Sequence, residues 1–331
     1  MRPFTYAQSQ TADEAVKEVT TTPEAKYIAG GTNLLDLMKI DVMRPGHLVN
    51  VNHLEHTEIN ETPEGGLKLG AMARNADTAY HELVETRYPL LSHAILAGAS
   101  AQIRNMASNG GNLLQRTRCY YFYDTQTPCN KREPGSGCSA IKGYNRDLAI
   151  LGTSEQCIAT HPSDMAVALT ALDATVRVTG KNGHRAIPIL EFHRLPGNTP
   201  HLDTNLQPDE LITHIELPAN NFAQHYSYLK LRDRASYAFA LVSVAAVLEL
   251  EEGEIKEVRV AVGGVAHKPW RKPEAEAQLK GQPPTAENFQ KLAEAYLEGA
   301  KGYGDNTFKI ELAKRAIVRA LLDATERGVN A

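Results

Sequence analysis

The stretch Lys26-Tyr27-Ile28-Ala29-Gly30-Gly31-Thr32-Asn33-Leu34 decides how the first part of the chain folds. Residues 26–29 predict a short strand, and residues 34–39 have the apolar spacing of a helix. The two glycines between them permit positive φ and close approach of the backbone to a ligand. The helix N-terminus offers unpaired N–H groups and a positive dipole end to an anion. The pattern predicts either a plain strand-to-helix turn or one wall of a phosphate site; it is neither the six-residue dinucleotide fingerprint nor a P-loop.

The residues around this stretch predict a small parallel sheet. Thr11 is suited to cap a helix over residues 12–19, with Glu14 at the capping-box position. Residues 47–51 predict a further short strand. The alternation of short strands and helices over residues 1–55 is typical of a parallel β-α-β unit.

A second glycine pair occurs in Gly110-Gly111-Asn112. Each of the two pairs is followed by Asn or Thr-Asn. Two such loops are able to hold one pyrophosphate from two sides. The pairing therefore favours a bound nucleotide cofactor more strongly than either loop does alone.

The rest of the pattern predicts an α+β protein of two or three domains, because 331 residues exceed what one small core organises. We expect strands at residues 66–72, 157–160, 175–178, 184–188, 210–218, 226–231 and 257–265. We expect helices at residues 75–99, broken near Pro89, from Ser163 onward, and at residues 274–299 and 310–327. A domain boundary is predicted within residues 221–230. In this scheme Asp164 is either a helix cap or a partner for a ribose or linker hydroxyl.

Cys119, Cys129, Cys138 and Cys157 are the four cysteines of the chain, and they follow the second glycine pair. Zinc sites usually contain close pairs such as C-x2-C, and none is present. Disulfides are rare in intracellular proteins. An iron–sulfur cluster needs four thiolates from a loop able to wrap it, and the glycines and prolines of residues 127–145 favour such a loop. Nearby basic side chains would offset the thiolate charge, namely Arg116, Arg118, Lys131 and Arg132. Spacing alone leaves a cluster, zinc and unligated reduced thiols open.

Composition limits the partners. The net charge is −4 with both signs interspersed, which argues against nucleic acid as the main partner. No apolar run approaches the ~20 residues that span a bilayer. The first residues lack the apolar segment of a signal peptide. The twelve histidines are scattered, and we interpret them as structural.

Residues 26–34, and Gln102-Ile103-Arg104-Asn105 followed by residues 110–112, resemble the flavin subunits of molybdenum hydroxylases. These are the flavoproteins of the xanthine dehydrogenase and carbon monoxide dehydrogenase family. The four-cysteine insertion is similar to that of the FAD and [4Fe-4S] subunits of bacterial aldehyde oxidoreductases. Residues 112–119, 161–166 and 232–242 carry the same resemblance, which covers essentially the whole chain.

The resemblance implies a fold class and a domain plan. The expected fold is α+β, with an FAD-binding domain of the PCMH or vanillyl-alcohol-oxidase type over residues 1–222. This domain would contain two α/β subdomains, at about residues 1–55 and 56–222, and a cysteine-rich cluster loop at residues 116–157. A CO-dehydrogenase-flavoprotein-like α+β domain would occupy residues 223–331.

The resemblance also implies which residues bind cofactors. The pyrophosphate would be wrapped by Lys26, Tyr27, Ile28, Ala29, Gly30, Gly31, Thr32, Asn33 and Leu34. Its second wall would be formed by Ser108, Gly111 and Asn112. Asp164 would hold the adenosine side, Ile212 would line the flavin pocket and Lys230 would lie near the isoalloxazine. A [4Fe-4S] cluster would be held by Cys119, Cys129, Cys138 and Cys157.

The implied function is that of an oxidoreductase subunit within a heterotrimer. A molybdenum-cofactor subunit would oxidise an aldehyde, and a [2Fe-2S] subunit would relay the electrons. This chain would receive them on FAD and pass them to an external acceptor, with ferredoxin as a candidate. No general acid or base is required of it. The alternatives are a stand-alone FAD oxidase that uses oxygen and a non-catalytic assembly subunit that binds zinc. We expect a cytoplasmic protein, or a periplasmic one if a partner with a twin-arginine signal exports it.

Overall fold

The computed structural model describes residues 1–329. Its first unit contains, in chain order, β1 (Thr5–Gln8), α1 (Ala12–Thr21), β2 (Ala25–Ile28), α2 (Leu34–Lys39) and β3 (His47–Asn50). The strands are parallel in the order β1-β3-β2, and the central strand is buried along its whole length. Thr11 and Glu14 form a capping box at the start of α1. The predicted parallel unit and its capping box are therefore confirmed.

The second unit is built on a five-stranded antiparallel sheet. Its elements in chain order are β4 (Ile59–Glu61), β5 (Leu67–Gly70), α3 (Asn75–Ala79), α4 (Glu82–Arg87), α5 (Pro89–Ala97), α6 (Ala101–Arg104), α7 (Asn109–Leu113), α8 (Tyr120–Tyr123), α9 (Asp164–Ala171), β6 (Thr175–Gly180), β7 (Gly183–Pro188), α10 (Ile189–Phe192) and β8 (Leu211–Leu217). The strand order is β4-β5-β8-β6-β7. The second glycine pair and all four cysteines therefore lie in the long connection between two strands of one sheet.

Two predictions for this unit are wrong in detail. Residues 75–99 form three helices, α3 to α5: the break predicted near Pro89 is present, because α4 ends at Arg87 and Pro89 begins α5, but the break between α3 and α4 was not predicted. Proline is tolerated at that first position because its missing N–H would have no partner there. Residues 157–160, predicted as a strand, are irregular, with one isolated bridge between Ser154 and Cys157. The Cys157 sulfur accepts the Ala159 N–H at 3.4 Å, a local bond that competes with strand pairing.

The third unit is an antiparallel sheet with helices on one face. Its elements are β9 (Tyr226–Leu231), β10 (Val242–Glu251), β11 (Glu254–Gly263), α11 (Pro273–Glu276), α12 (Ala286–Tyr296) and α13 (Phe308–Val329). The strand order is β11-β10-β9. Residues 274–299 were expected to form one helix but are divided before α12, because Pro283 and Pro284 cannot continue a helix.

Strand β10 joins the second and third units. Ala245 and Val247 belong to the core that contains Val167 of α9. Val244 and Ala246, on the opposite face of the strand, belong to the core that contains Ile317 of α13. A third, smaller core surrounds three of the cysteines. Among the described residues no helix is long and apolar enough to cross a membrane.

Candidate functional site

The first glycine loop lies against the segment that leads into the second. A Cβ at Gly30 would stand 1.9 Å from the Met106 carbonyl oxygen, so only glycine fits there. Gly31 has φ +71°, in the left-handed region that favours glycine. The requirement at Gly30 arises because the turn from β2 into α2 packs directly against the backbone of Met106 and Ala107. The first loop therefore packs against the segment that leads into the second, and the two are not independent turns.

The second glycine loop is fixed by hydrogen bonds from buried side chains. Asn109 is fully buried, and its amide donates to Gly70 O at 3.1 Å and to Thr78 Oγ1 at 2.8 Å. Ser108 Oγ accepts the Gly111 N–H at 3.2 Å. Buried polar side chains with all their partners in place fix the backbone around them. The loop therefore presents a preformed wall.

Asn112 connects this wall to the start of α9. Its side-chain oxygen accepts from Ser163 Oγ at 2.5 Å, and its amide donates to Asn75 Oδ1 at 2.6 Å. Ser163 Oγ in turn accepts the Ala166 N–H and caps α9. Ser163 is thus the helix cap, which leaves Asp164 free of that role.

The two loops and α9 enclose a groove of two adjoining chambers. The inner chamber, of about 210 Å³, is lined by the whole of residues 26–34, by Ser108 and Gly111, and by Ile212 of β8. The outer chamber, of about 220 Å³, is lined by Asn112, Asp164 and Lys230. Thr32, Asn33 and Gly111 line both chambers. Every residue predicted from the resemblance to bind the flavin therefore lies along one groove.

The groove carries polar groups suited to an anionic ligand. Asn33 Oδ1 accepts the Arg116 N–H at 2.9 Å, but the Asn33 amide nitrogen is buried without a hydrogen-bond partner in the part of the chain that the structure describes. An unpaired buried donor is costly unless a ligand fills it. Burial, followed by the charge of Arg116, lowers the pKa of Lys26. A groove with close backbone approach, a spare donor and two cations fits a pyrophosphate, and so fits FAD.

The outer chamber ends at a buried ion pair between the second and third units. Lys230 Nζ on β9 lies 2.8 Å from Asp164 Oδ2 and donates to Ala97 O at 3.0 Å. Tyr228 donates to the other oxygen of Asp164 at 2.5 Å, and burial followed by the Asp164 charge raises the pKa of Tyr228 well above its usual value. Asp164 and Lys230 therefore mark the same end of the groove. This differs from the expectation that one serves the adenosine side and the other the isoalloxazine.

The structure adds lining residues that sequence reasoning missed. Tyr237 and Phe239, both exposed, line the outer chamber from the loop before β10. The Arg118 guanidinium lies 5.1 Å from the centre of the Phe239 ring. A larger cavity of about 900 Å³ adjoins the chamber at these residues and extends to Cys119. Residues 232–242 carried the family resemblance, but no binding role was predicted for Tyr237 or Phe239.

The four cysteines converge. Cys119, Cys129, Cys138 and Cys157 line one small cavity, and none forms a disulfide. Cys119, Cys129 and Cys157 are buried, whereas Cys138 is partly exposed. The surrounding loop is braced from within by Asn130, whose side-chain oxygen accepts the N–H groups of two loop glycines. The loop thereby brings together cysteines that span 38 positions of the sequence, from residue 119 to residue 157.

The thiols are buried but face backbone donors. Burial raises the pKa of Cys119 to about 11 and that of Cys157 to about 12. The N–H groups of Phe122 and Tyr121 act in the opposite direction on Cys119, as Lys131 does on Cys157. N–H donors and a nearby ammonium stabilise thiolate ligands of a metal centre. Without a metal ion these sulfurs are held as thiols.

Within residues 1–329 no group of three or more His, Cys, Asp or Glu side chains is arranged to hold a single metal ion. A tetrahedral zinc ion with Zn–S bonds of about 2.3 Å would bring its four sulfurs to within about 4 Å of one another. A cluster of four irons takes one thiolate per iron and leaves them farther apart. Convergence on this cavity leaves a cluster, zinc and unligated thiols open.

Comparison with known proteins places the chain. A family model described as the FAD binding domain in molybdopterin dehydrogenase matches residues 2–220, and the CO dehydrogenase flavoprotein C-terminal domain matches residues 226–324. The chain belongs to this family of FAD-binding subunits. This FAD-binding subunit is an oxidoreductase subunit of the xanthine dehydrogenase and CO dehydrogenase family, and the predicted family and α+β fold class are confirmed.

Individual relatives agree with this assignment. The FAD-binding subunit is 51% identical to the aldehyde oxidoreductase FAD-binding subunit PaoB of Escherichia coli (strain K12), over 98% of this chain and 99% of that protein. It is 29% identical to the glyceraldehyde dehydrogenase medium chain of Sulfolobus acidocaldarius, over 84% of this chain and 82% of that one. A solved structure of carbon monoxide dehydrogenase from Hydrogenophaga pseudoflava superposes with a TM-score of 0.77 at 26% identity, covering 98% of both chains.

Proposed function

We propose that this chain is the electron-transfer flavin subunit of a molybdenum-containing aldehyde oxidoreductase. The observation that carries the proposal is the single groove lined by both glycine loops, next to four converging cysteines. The name of the 51% identical relative, an aldehyde oxidoreductase subunit, supports the substrate class. The domain division at residue 222 and the groove residues named above are part of the same proposal.

The chain's own residues bind and orient the cofactor. Gly30, Gly31 and Gly111 allow the backbone to approach the pyrophosphate, and Asn33 donates its free amide hydrogen to it. Asp164, held by Lys230 and Tyr228, closes the far end. FAD, when bound, exchanges electrons singly or in pairs and so joins one-electron and two-electron partners. No side chain of the groove is required to move a proton.

The same proposal places a [4Fe-4S] cluster on Cys119, Cys129, Cys138 and Cys157. Convergence of the four sulfurs, their N–H donors and the buried Lys131 support it. The names of the relatives establish FAD and do not mention a cluster in this subunit. Zinc and unligated thiols are the competing states, and iron and zinc analysis of the purified protein separates all three.

The partners follow from the division of labour. A molybdenum-cofactor subunit oxidises the aldehyde, a [2Fe-2S] subunit relays the electrons, and this chain accepts them and passes them to an external acceptor, with ferredoxin as the candidate. Co-purification with both subunits tests the assembly. If the molybdenum subunit carries a twin-arginine signal, the complex is periplasmic, which cell fractionation determines.

One experiment separates this function from its alternatives. The full chain is purified without oxygen, its absorption spectrum is recorded, and aldehyde is added with and without the partner subunits. We expect flavin bands, a broad absorption that bleaches on reduction, and reduction by aldehyde only with the partners present. Oxygen consumption by the chain alone would support a stand-alone oxidase. A colourless protein that contains zinc would support an assembly subunit.

The route to the acceptor has its own test. In Cys129→Ser, which removes one cluster ligand, we expect the rate of ferredoxin reduction to fall at least about tenfold when FAD is supplied at a saturating concentration. An unchanged rate in protein shown to lack the cluster would refute a route through the cysteines.

A further inference from the structure

A buried ion network lies between the cysteine site and the flavin groove. Lys131, whose side chain is 1% exposed, forms an ion pair with one carboxylate oxygen of Asp203 and donates to Pro200 O at 2.9 Å. Arg116 Nε donates to the other oxygen of Asp203 at 2.8 Å. Asp203 belongs to the long loop before β8, so that loop clamps a residue of each site.

Each cation of the network also acts on one of the two sites. Lys131 lines the small cavity on which the four cysteines converge. Arg116 lines the inner chamber of the groove and donates its backbone N–H to Asn33. The guanidinium of Arg116 also lies 4.7 Å from the centre of the Phe122 ring, in the helix that follows Cys119. Polar contacts therefore run from Lys131, at the cysteine cavity, through Asp203 and Arg116 to Asn33.

The charges of the network suit the two sites on either side of it. Two cations and one carboxylate leave a single positive charge buried between two sites for anions, a four-thiolate cluster and a pyrophosphate. Burial alone would raise the pKa of Asp203, but Lys131 and Arg116 outweigh it and hold the pKa well below its usual value. Asp203 therefore stays ionised and keeps both cations in place.

We propose that Lys131, Asp203 and Arg116 are positioning residues that couple the two cofactor sites, so that a filled cysteine site strengthens the binding of FAD. This inference rests on the proposed function. An anionic cluster holds Lys131, Lys131 holds Asp203, and Asp203 orients Arg116 and, through it, Asn33. Loss of the cluster removes the first of these constraints, and FAD then binds to a less ordered wall.

The test measures FAD dissociation, not activity. The full chain, purified anaerobically with any subunits that accompany it, is compared with Cys129→Ser, and the dissociation constant of FAD is determined from flavin fluorescence on release. The same pair is prepared in an Asp203→Asn background. Asp323→Asn, which breaks an exposed ion pair on α13, is the matched control. Iron content is measured in every sample.

We expect loss of the cluster to raise the FAD dissociation constant about tenfold in the native and Asp323→Asn backgrounds, and less than about twofold with Asp203→Asn. If Asp203→Asn does not fold, Arg116→Gln breaks the same link. If the native protein contains iron, two results would overturn the coupling alone. One is the same increase in the FAD dissociation constant in all backgrounds, and the other is no increase in the native background. Absence of iron from the native protein would overturn the cluster assignment together with it.

Discussion

At the scale of single residues, Gly30 decides whether the groove exists. The carbonyl of Met106 occupies the space of any side chain at position 30, so the first glycine loop approaches the backbone before Ser108 only because residue 30 is glycine. Loop separation, and not loss of a chemical group, is the consequence of substitution there. Few positions in the chain offer so direct a test of the groove.

For Gly30→Ala we expect the FAD dissociation constant to rise at least about tenfold, because overpacking of about 1–3 kcal/mol has to be relieved by moving one loop. Flavin content after gel filtration measures it. Gly46→Ala is the matched control, since its Cβ would meet no atom closer than 3.5 Å. Equal flavin content in both variants would contradict the proposed groove.

The ion pair of Asp164 and Lys230 supports a second prediction at this scale. Their side chains are 9% and 5% exposed, so Asp164→Asn leaves a buried ammonium without its counter-charge. We expect the free energy of unfolding to fall by about 3–5 kcal/mol, whereas Asp164→Leu with Lys230→Met removes both charges and costs less. Urea unfolding measures both. If Asp164→Asn lowers the free energy of unfolding no more than Asp323→Asn does at its pair on the surface, the pair of Asp164 and Lys230 does not stabilise the contact between the units.

At the scale of elements, the exposed side of the cysteine loop indicates where electrons would leave. Cys119 is buried, whereas Cys138 is partly exposed and lines an open cavity with Lys142, Lys301 and Glu155. The electron exit is therefore predicted at Cys138.

Charge reversal tests this exit. For Lys142→Glu with Lys301→Glu we expect kcat/KM for a ferredoxin-type acidic carrier to fall at least about tenfold at low ionic strength, because steering between opposite charges is lost. Added salt should narrow the difference. Reduction of a small neutral quinone should not change. Lys280→Glu, an exposed lysine that does not line this cavity, is the control, and an equal effect there would remove the assignment.

Local signals predicted local structure well. The capping box at Thr11 and the strand-glycine-helix pattern at residues 26–34 are determined by neighbouring residues, and both were found as predicted. Strand β10 was visible only as an apolar run, since a strand buried on both faces shows no alternation. The contact of Arg118 with Phe239 joins distant parts of the chain, so no pattern in a single sequence could reveal it.

At the scale of the whole molecule, three buried histidines lie where the second and third units meet. His161, His193 and His267 come from different parts of the chain, and each has a ring nitrogen without a hydrogen-bond partner among the described residues. Burial lowers the pKa of His193 and of His267 to about 4, with Lys131 adding to the effect on His267 and Asp203 opposing it in both. Three of the twelve histidines that are scattered in the sequence thus form a structural cluster.

These shifts predict how stability depends on pH. A histidine of pKa about 4 in the folded state and about 6.5 when unfolded binds fewer protons when folded, so stability is lost as the pH falls from about 6.5 to 4. His193 and His267 together contribute a slope of at most about 2.7 kcal/mol per pH unit. His161, whose pKa burial lowers well below its usual value, adds to this slope. Asp203 remains ionised over this range and does not reverse the trend. Urea midpoints at several pH values measure the slope, which His193→Gln should reduce and His184→Gln, at an exposed position, should not. A flat profile would show that the histidines are not buried in solution.

The two faces of β10 limit which hybrids between two related subunits can fold. Because Ala245 and Val247 complete the core around α9 while Val244 and Ala246 complete the core around α13, one strand is complementary to both halves of the molecule at once. A hybrid gene with its crossover near residue 222 would seat a foreign strand against α9. We therefore expect such a hybrid to be stable only when both faces of this strand match the surfaces that they cover.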